Sequence, residues 1–180
     1  MTSVKEFLDK VDNFDKFLQD APEEIKKYIA NCWLTPQNSE WHPEGKDEMV
    51  PHNVLMHTRI VFRKCLYKYN NFSHLIDLLL SAIFHDLGKV DTTKLNKHDK
   101  WSSYGHEAES AKIVKRHKEW IEHKGGNFDR VYNIVNEHMR IKHIDEMRPA
   151  KKQKLFDNPF FAEIVMFNKC DNMKDFEEFE

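Results

Sequence analysis

Histidines and aspartates in a fixed order carry the chemistry of this chain. His85 and Asp86 are adjacent within Ala82-Ile83-Phe84-His85-Asp86-Leu87-Gly88-Lys89. His57 stands well before them, His106 and His138 well after, and Asp171 lies near the C-terminus. Imidazole nitrogen and carboxylate oxygen together suit a divalent transition metal. One His-Asp dipeptide means little, but the ordered set of four histidines and two aspartates could supply two ions. Two such ions, about 3.5–4 Å apart, activate a water for in-line attack on phosphorus and neutralise charge on the phosphoryl oxygens. The set points to metal-dependent hydrolysis of a phosphoester, with His57, His85, Asp86, His106, His138 and Asp171 as ligands.

The roles divide by chemistry. Asp86 has two oxygens and can bridge two ions, whereas His85 can bind only one. Neighbours on a helix point about 100° apart, so this pair can share a centre only at a helix end or with ions on two sides. An aspartate at a helix C-terminus opposes the dipole, so a capping role for Asp86 is poor. His57 falls on an inward helical face with Ile60 and Val61, and His52 remains its rival. Asp171 sits in an apolar-striped helix, where a buried carboxylate needs a partner. Lys89, three residues past Asp86, can reach a phosphate; the competing reading is a solvated helix-end lysine. Asp86 and Lys89 are thus the candidate catalytic residues. Arg140 and Arg59 join Lys89 as candidates for substrate binding, with Arg148, Lys151, Lys152 and Lys154 as a basic rim. His74, His98, His117, His123 and His143 read as surface or structural, and His42 lies in a loop.

Helices must position these groups. Five glycines and six prolines in 180 residues leave long uninterrupted periodic stretches, and no segment sustains strand alternation. Helices are expected over residues 3–19, after Pro22, over 53–69, from a Ser73 N-cap to Gly88, over 106–124, 128–139 and 149–156, and from Asn158-Pro159 through Asp171. Residues 31–51 and 90–105 read as loops. The fold class is all-α. The expected organisation is an N-terminal helical extension (1–40), a hydrolase domain (41–174) and an acidic tail (175–180).

Composition sets outer bounds. Lys and Arg total 28 against 30 Asp and Glu, a net charge of -2, so whole-surface binding of a polyanion is excluded as a mode. Three cysteines without metal-like spacing suit free thiols in a reducing compartment. The longest apolar run is too short for a membrane span, and a cytoplasmic protein without membrane contact is expected. No Walker loop, dinucleotide fingerprint or Ser-His-Asp arrangement is readable. The apolar stripe of the first helix can cover the core or form an oligomer.

At these residues the chain resembles the HD-domain phosphohydrolase superfamily. Within it the chain is most similar to the HD domain of bacterial tRNA nucleotidyltransferases, here as a stand-alone domain. The resemblance spans about residues 41–172. It rests on Trp41-His42-Pro43-Glu44-Gly45, Met56-His57-Thr58, His85-Asp86-Leu87-Gly88-Lys89, Tyr104-Gly105-His106-Glu107, Glu137-His138-Met139-Arg140 and Lys169-Cys170-Asp171. It implies an all-helical fold, one ion on His57, His85, Asp86 and Asp171, and a second involving His106 and His138. The metal would be Mn, Ni, Co, Fe or Mg. It also implies a phosphomonoester or 2',3'-cyclic phosphodiester of a nucleotide or RNA end as substrate. A nucleotidyltransferase domain is not found in the sequence, so CCA addition is not implied, and the Gly45–His57 spacing is longer than in the family. The alternatives are hydrolysis of dNTPs or other free nucleotides, and a metal-stabilised helical binding module without activity.

Overall fold

A helix that is apolar on every side has to be central, and Leu75–Phe84 is such a helix. From Asp77 to Phe84 every residue is buried. The structure is a computed structural model that describes residues 12–37 and 53–172. In chain order the helices are α1 (Asp12–Phe17), α2 (Glu23–Cys32), α3 (Val54–Lys68), α4 (Leu75–Phe84), α5 (Lys89–Thr92), α6 (His106–Arg116), α7 (Lys118–His123), α8 (Phe128–Lys142), α9 (Pro149–Phe156) and α10 (Phe161–Asp171). A 3-10 turn, Ile144–Glu146, joins α8 to α9. The fold is all-α, as expected. Helix α4 packs against α3 and α8, and α10 closes the bundle against α8, α3 and α4. Leu78, Leu80, Ile83, Phe84, Val131, Ile134, Val135, Ile164 and Phe167 fill the space between them.

Asp77 is the charged exception on α4. Its carboxylate accepts from Asn127 N–H at 2.6 Å and from Arg130 at 2.7 Å. It thereby ties the start of α8 to α4, since a buried charge is tolerated only when it is paired and hydrogen-bonded. The described part of the first expected helix spends its apolar side chains inside the chain. Phe14 and Phe17 meet Phe62 edge-on at 5.3 and 5.4 Å.

Several boundaries differ from the sequence reading. Ser73 is not the N-cap of α4; His74 occupies that place and makes no side-chain cap. Residues 106–124 form two helices broken at His117, although no glycine or proline marks the break. Helix α8 runs three residues beyond 139, which brings Lys142 into reach of α10. Residues 90–105 are not wholly a loop. They hold the end of α5 and a two-residue hairpin, β1 (Lys94–Leu95) against β2 (Trp101–Ser102), turned at Asp99 with φ of 56°. Strands of two residues are too short to show alternation. Helix α3 starts where Asn53 predicts, with the Asn53 side chain accepting from Met56 N–H at 2.9 Å.

Gly88 does not stop α4 through a left-handed turn. Its φ is -60°. Its requirement is space, because a Cβ there would lie 2.2 Å from the His106 carbonyl oxygen and 2.7 Å from Ser110 N. The Gly88 N–H donates to Ser110 Oγ at 2.8 Å, and that hydroxyl donates to the His85 carbonyl at 2.8 Å. Helix α6 thus sits directly on the His85-Asp86 turn. Gly88→Ala must push backbone away from backbone. We expect a stability loss at or above the about 1–3 kcal/mol typical of overpacking, read from denaturant unfolding. An unchanged midpoint would contradict the close approach.

Candidate metal centre

Six side chains from five segments converge beside this turn. His57 comes from α3, His85 and Asp86 from the turn ending α4, His106 from the start of α6, His138 from α8 and Asp171 from the end of α10. All six are buried. They form two groups, His57/His85/Asp171 and Asp86/His106/His138, and within each the donor atoms lie within 4.8 Å of one another.

Asp86 joins the groups. Its Oδ2 lies 3.3 Å from His85 Nε2 and 3.5 Å from His57 Nε2. Its Oδ1 lies 3.1 Å from His106 Nε2 and 3.7 Å from His138 Nε2. In the first group Asp171 Oδ1 is 2.9 Å from His57 Nε2 and 3.3 Å from His85 Nε2. One carboxylate oxygen therefore faces each group, which a bridging ligand requires. The pair lies at the C-terminal end of α4, with His85 as its C-cap.

The backbone sets the ring tautomers. His85 Nδ1 lies 2.7 Å from the Ala82 carbonyl, His106 Nδ1 3.0 Å from Ser103 and His138 Nδ1 2.5 Å from Val135. A carbonyl cannot donate, so each Nδ1 carries the hydrogen. In the neutral ring Nε2 is left as a lone pair, the arrangement that orients a metal-binding imidazole. Yet His106 and His138 point Nε2 at Nε2 across 3.2 Å. Two facing lone pairs repel unless a cation lies between them. The donor set therefore fits divalent metal. Nδ1 of His57 is buried without a partner among the described residues.

The charges agree with that reading. Burial opposes ionisation of Asp86, but His85 and Lys89 hold its carboxyl well below the usual range. Burial likewise opposes ionisation of Asp171, but His85, His57 and Lys142 keep it ionised. Burial also works against a proton on His85, yet Asp86 and Asp171 raise it to about 9. At His57 and His138 burial wins and the rings stay neutral. His85 thus carries positive charge where a metal cation would replace it.

Lys89 is not a solvated lysine. It is 8% exposed, with Nζ 3.1 Å from Asp86 Oδ2 and 3.1 Å from Gln37 Oε1. The backbone bridge between Pro36 and Asn53 holds Gln37 nearby. Arg59 and Arg140 lie elsewhere. Arg59 points to α1, 3.4 Å from Asp15 and over the Phe14 ring. Arg140 pairs with both oxygens of Glu137 and lines a hollow of about 360 Å³ with Lys151 and Lys154. Residues two apart on a helix point about 200° apart. Facing His57 and His138 inward therefore turns these arginines away. His52 and His42 lie outside the described residues.

Two neighbours of the cluster escaped the sequence reading. Lys142 Nζ is 2.6 Å from Asp171 Oδ2, and Gln37 reaches Lys89. An i+4 step from His138 to Lys142 was the available signal for the lysine; Gln37 gave none. His143, read as surface or structural, lines a cleft of about 410 Å³ together with Lys89 and His106.

An all-helical bundle with two buried imidazole-carboxylate groups sharing one aspartate has the framework of a metal-dependent hydrolase. Residues 54–160, more than half of the sequence, match the HD domain family, and the chain belongs to it. HD domains bind divalent metals and are generally phosphohydrolases. The comparison with curated proteins and that with solved structures return no match. No helix among the described residues is long and apolar enough to cross a membrane.

Proposed function

We propose that this chain is a metal-dependent phosphohydrolase that cleaves a phosphomonoester or 2',3'-cyclic phosphodiester of a nucleotide or RNA end. One observation carries the enzymatic part: the two oxygens of the buried Asp86 face two separate groups of donor atoms. His57, His85 and Asp171 would hold one divalent ion, and His106 and His138 another, with Asp86 shared. When bound, such a pair supplies Lewis-acid charge and an activated water for attack on phosphorus. The nucleotide and RNA class rests on the resemblance of residues 41–172 to the tRNA nucleotidyltransferase HD domain. The proposed working place is the cytoplasm.

The chain's own groups divide the remaining work. His85, His106 and His138 are oriented before any ligand arrives, because their Nδ1 atoms are anchored to backbone carbonyls. Lys142 pairs with Asp171 at its outer oxygen and offsets its charge. Lys89 presents an ammonium beside Asp86 and lines the cleft of about 410 Å³. From there it can neutralise charge developing on a phosphoryl oxygen, a preorganised electrostatic role.

The test is reconstitution of metal-stripped protein with Mn, Co, Ni, Fe or Mg. It pairs elemental analysis with a panel of p-nitrophenyl phosphate, 2',3'-cyclic nucleotides, 3'-phosphorylated RNA ends and dNTPs. We expect about two ions per chain, the number a two-ion site holds. The double substitution His106→Ala/His138→Ala should remove one of them and the activity. One ion in both proteins would reject the two-ion site, and turnover in the stripped protein would reject metal dependence.

A further inference from the structure

We propose that Tyr104 and Trp101 form a nucleobase-binding wall beside the metal centre, so that the enzyme prefers nucleoside phosphates to phosphoesters without a base. This rests on the phosphohydrolase reading above and names what lies beyond the phosphate. The cleft that contains Lys89 and His106 is also lined by Trp101, Tyr104, Gly105 and Met139. At about 410 Å³ it is of ligand-binding size, within the range of about 300–1,000 Å³ for such pockets.

Its lining is chemically mixed. One part carries an ammonium and an imidazole of the cluster. Another carries two aromatic rings and a thioether, surfaces on which a flat heterocycle stacks. Tyr104 is 94% exposed, an unusual state for a large aromatic ring two residues from a buried histidine. Gly105 explains how both states arise. Its φ of 79° turns the chain at the start of α6, and nothing lies within 4 Å of where its Cβ would be, so this part of the cleft stays open. The indole N–H of Trp101 is shielded from solvent and has no acceptor among the described residues. Unlike phenyl or aliphatic groups, a base offers both a stacking face and hydrogen-bond acceptors at its edge. A cleft lined by an exposed tyrosine ring and a half-buried indole, next to the Lys89 ammonium, fits a nucleoside phosphate.

The experiment measures selectivity on metal-loaded protein. The ratio of kcat/KM for the best nucleotide of the panel to that for ribose 5-phosphate is determined for wild type, Tyr104→Ala, Tyr104→Phe and Trp101→Phe. Tyr104→Ala should lower the ratio about 5- to 100-fold, the scale of one lost base-aromatic stack, with the loss mainly in KM. Tyr104→Phe, which keeps the ring, should restore it. Binding is read separately from quenching of tryptophan fluorescence by AMP, and Trp101→Phe should remove most of that signal. Were the protein to hydrolyse nothing, with AMP still quenching and Tyr104→Ala weakening the quench, the base-binding wall would stand and the hydrolase reading would fall. Were nucleotides and ribose 5-phosphate cleaved at a ratio that Tyr104→Ala leaves unchanged, the hydrolase reading would stand and the wall would not. An absence of AMP quenching in wild type would also overturn the wall.

Discussion

Asp86→Ala should abolish phosphoester cleavage and leave the helical circular dichroism spectrum nearly intact. The expectation follows from position. Asp86 is the residue whose two oxygens meet both donor groups, at 3.3 and 3.1 Å. Alanine removes the one negative charge that both proposed ions would share, and the groups lose their common ligand. The loss should exceed the about 10²–10³-fold that removal of a single electrostatic donor costs. The helices do not depend on this side chain, because α4 ends before it and its own packing is apolar. Stability will fall somewhat, since Lys89 loses its counter-charge in a buried site. Asp86→Asn therefore serves as the companion variant: it keeps the shape and one acceptor oxygen but not the charge. Steady-state kinetics of both should show turnover at background. Wild-type turnover in Asp86→Asn would remove the carboxylate from the mechanism.

Lys89→Ala should lower kcat by about 10²–10³-fold, the range for one preorganised electrostatic group, with a smaller effect on KM. A helix-end lysine in water would show neither effect. The structure separates these readings by burial and by the 3.1 Å contacts to Asp86 and Gln37. An interaction that strengthens only as charge develops appears in kcat rather than in ground-state binding. Lys89→Arg should recover part of the rate, because the charge returns on a larger and differently shaped head. If kcat holds and metal content drops instead, Lys89 serves to position Asp86 rather than to meet the substrate.

The sequence made the cluster legible because its signal is chemical and ordered. His57, His85, Asp86, His106, His138 and Asp171 stand in chain order, each on or beside a helix with an apolar stripe, and the fold brings those faces together. The direction of the arginines was not legible by the same means. Nearness in sequence suggested Arg59 and Arg140, whereas the helical step of about 100° per residue turns both away. Gly88 read as a stop signal and proves to be a gap for the backbone of α6. Such contacts between distant segments leave no local trace. The break at His117 and the two-residue hairpin were invisible for a related reason, since neither has a run long enough to show a period. Tyr104 stood in the sequence within the Tyr104-Gly105-His106-Glu107 segment, and Trp101 as an ordinary residue of an expected loop. Only the cleft shows that Trp101 lines the same hollow as Lys89 and His106.

The distance between His57 and Asp171 along the chain has a consequence for folding. Their facing atoms are 2.9 Å apart, yet the residues are separated by 114 positions. No fragment and no early, locally folded intermediate can present the full set, because α3 and α10 meet only when the long loop between them has closed. Any ion held there by both residues acts as a removable cross-link between the two ends of the domain. It would bind the native topology and not the open chain, so its concentration would set how far the folded state is favoured. It does so for a stretch reaching beyond the residues matched to the family, since Asp171 lies past position 160. Metal supply would then decide how long the protein survives proteolysis as well as whether it turns over substrate.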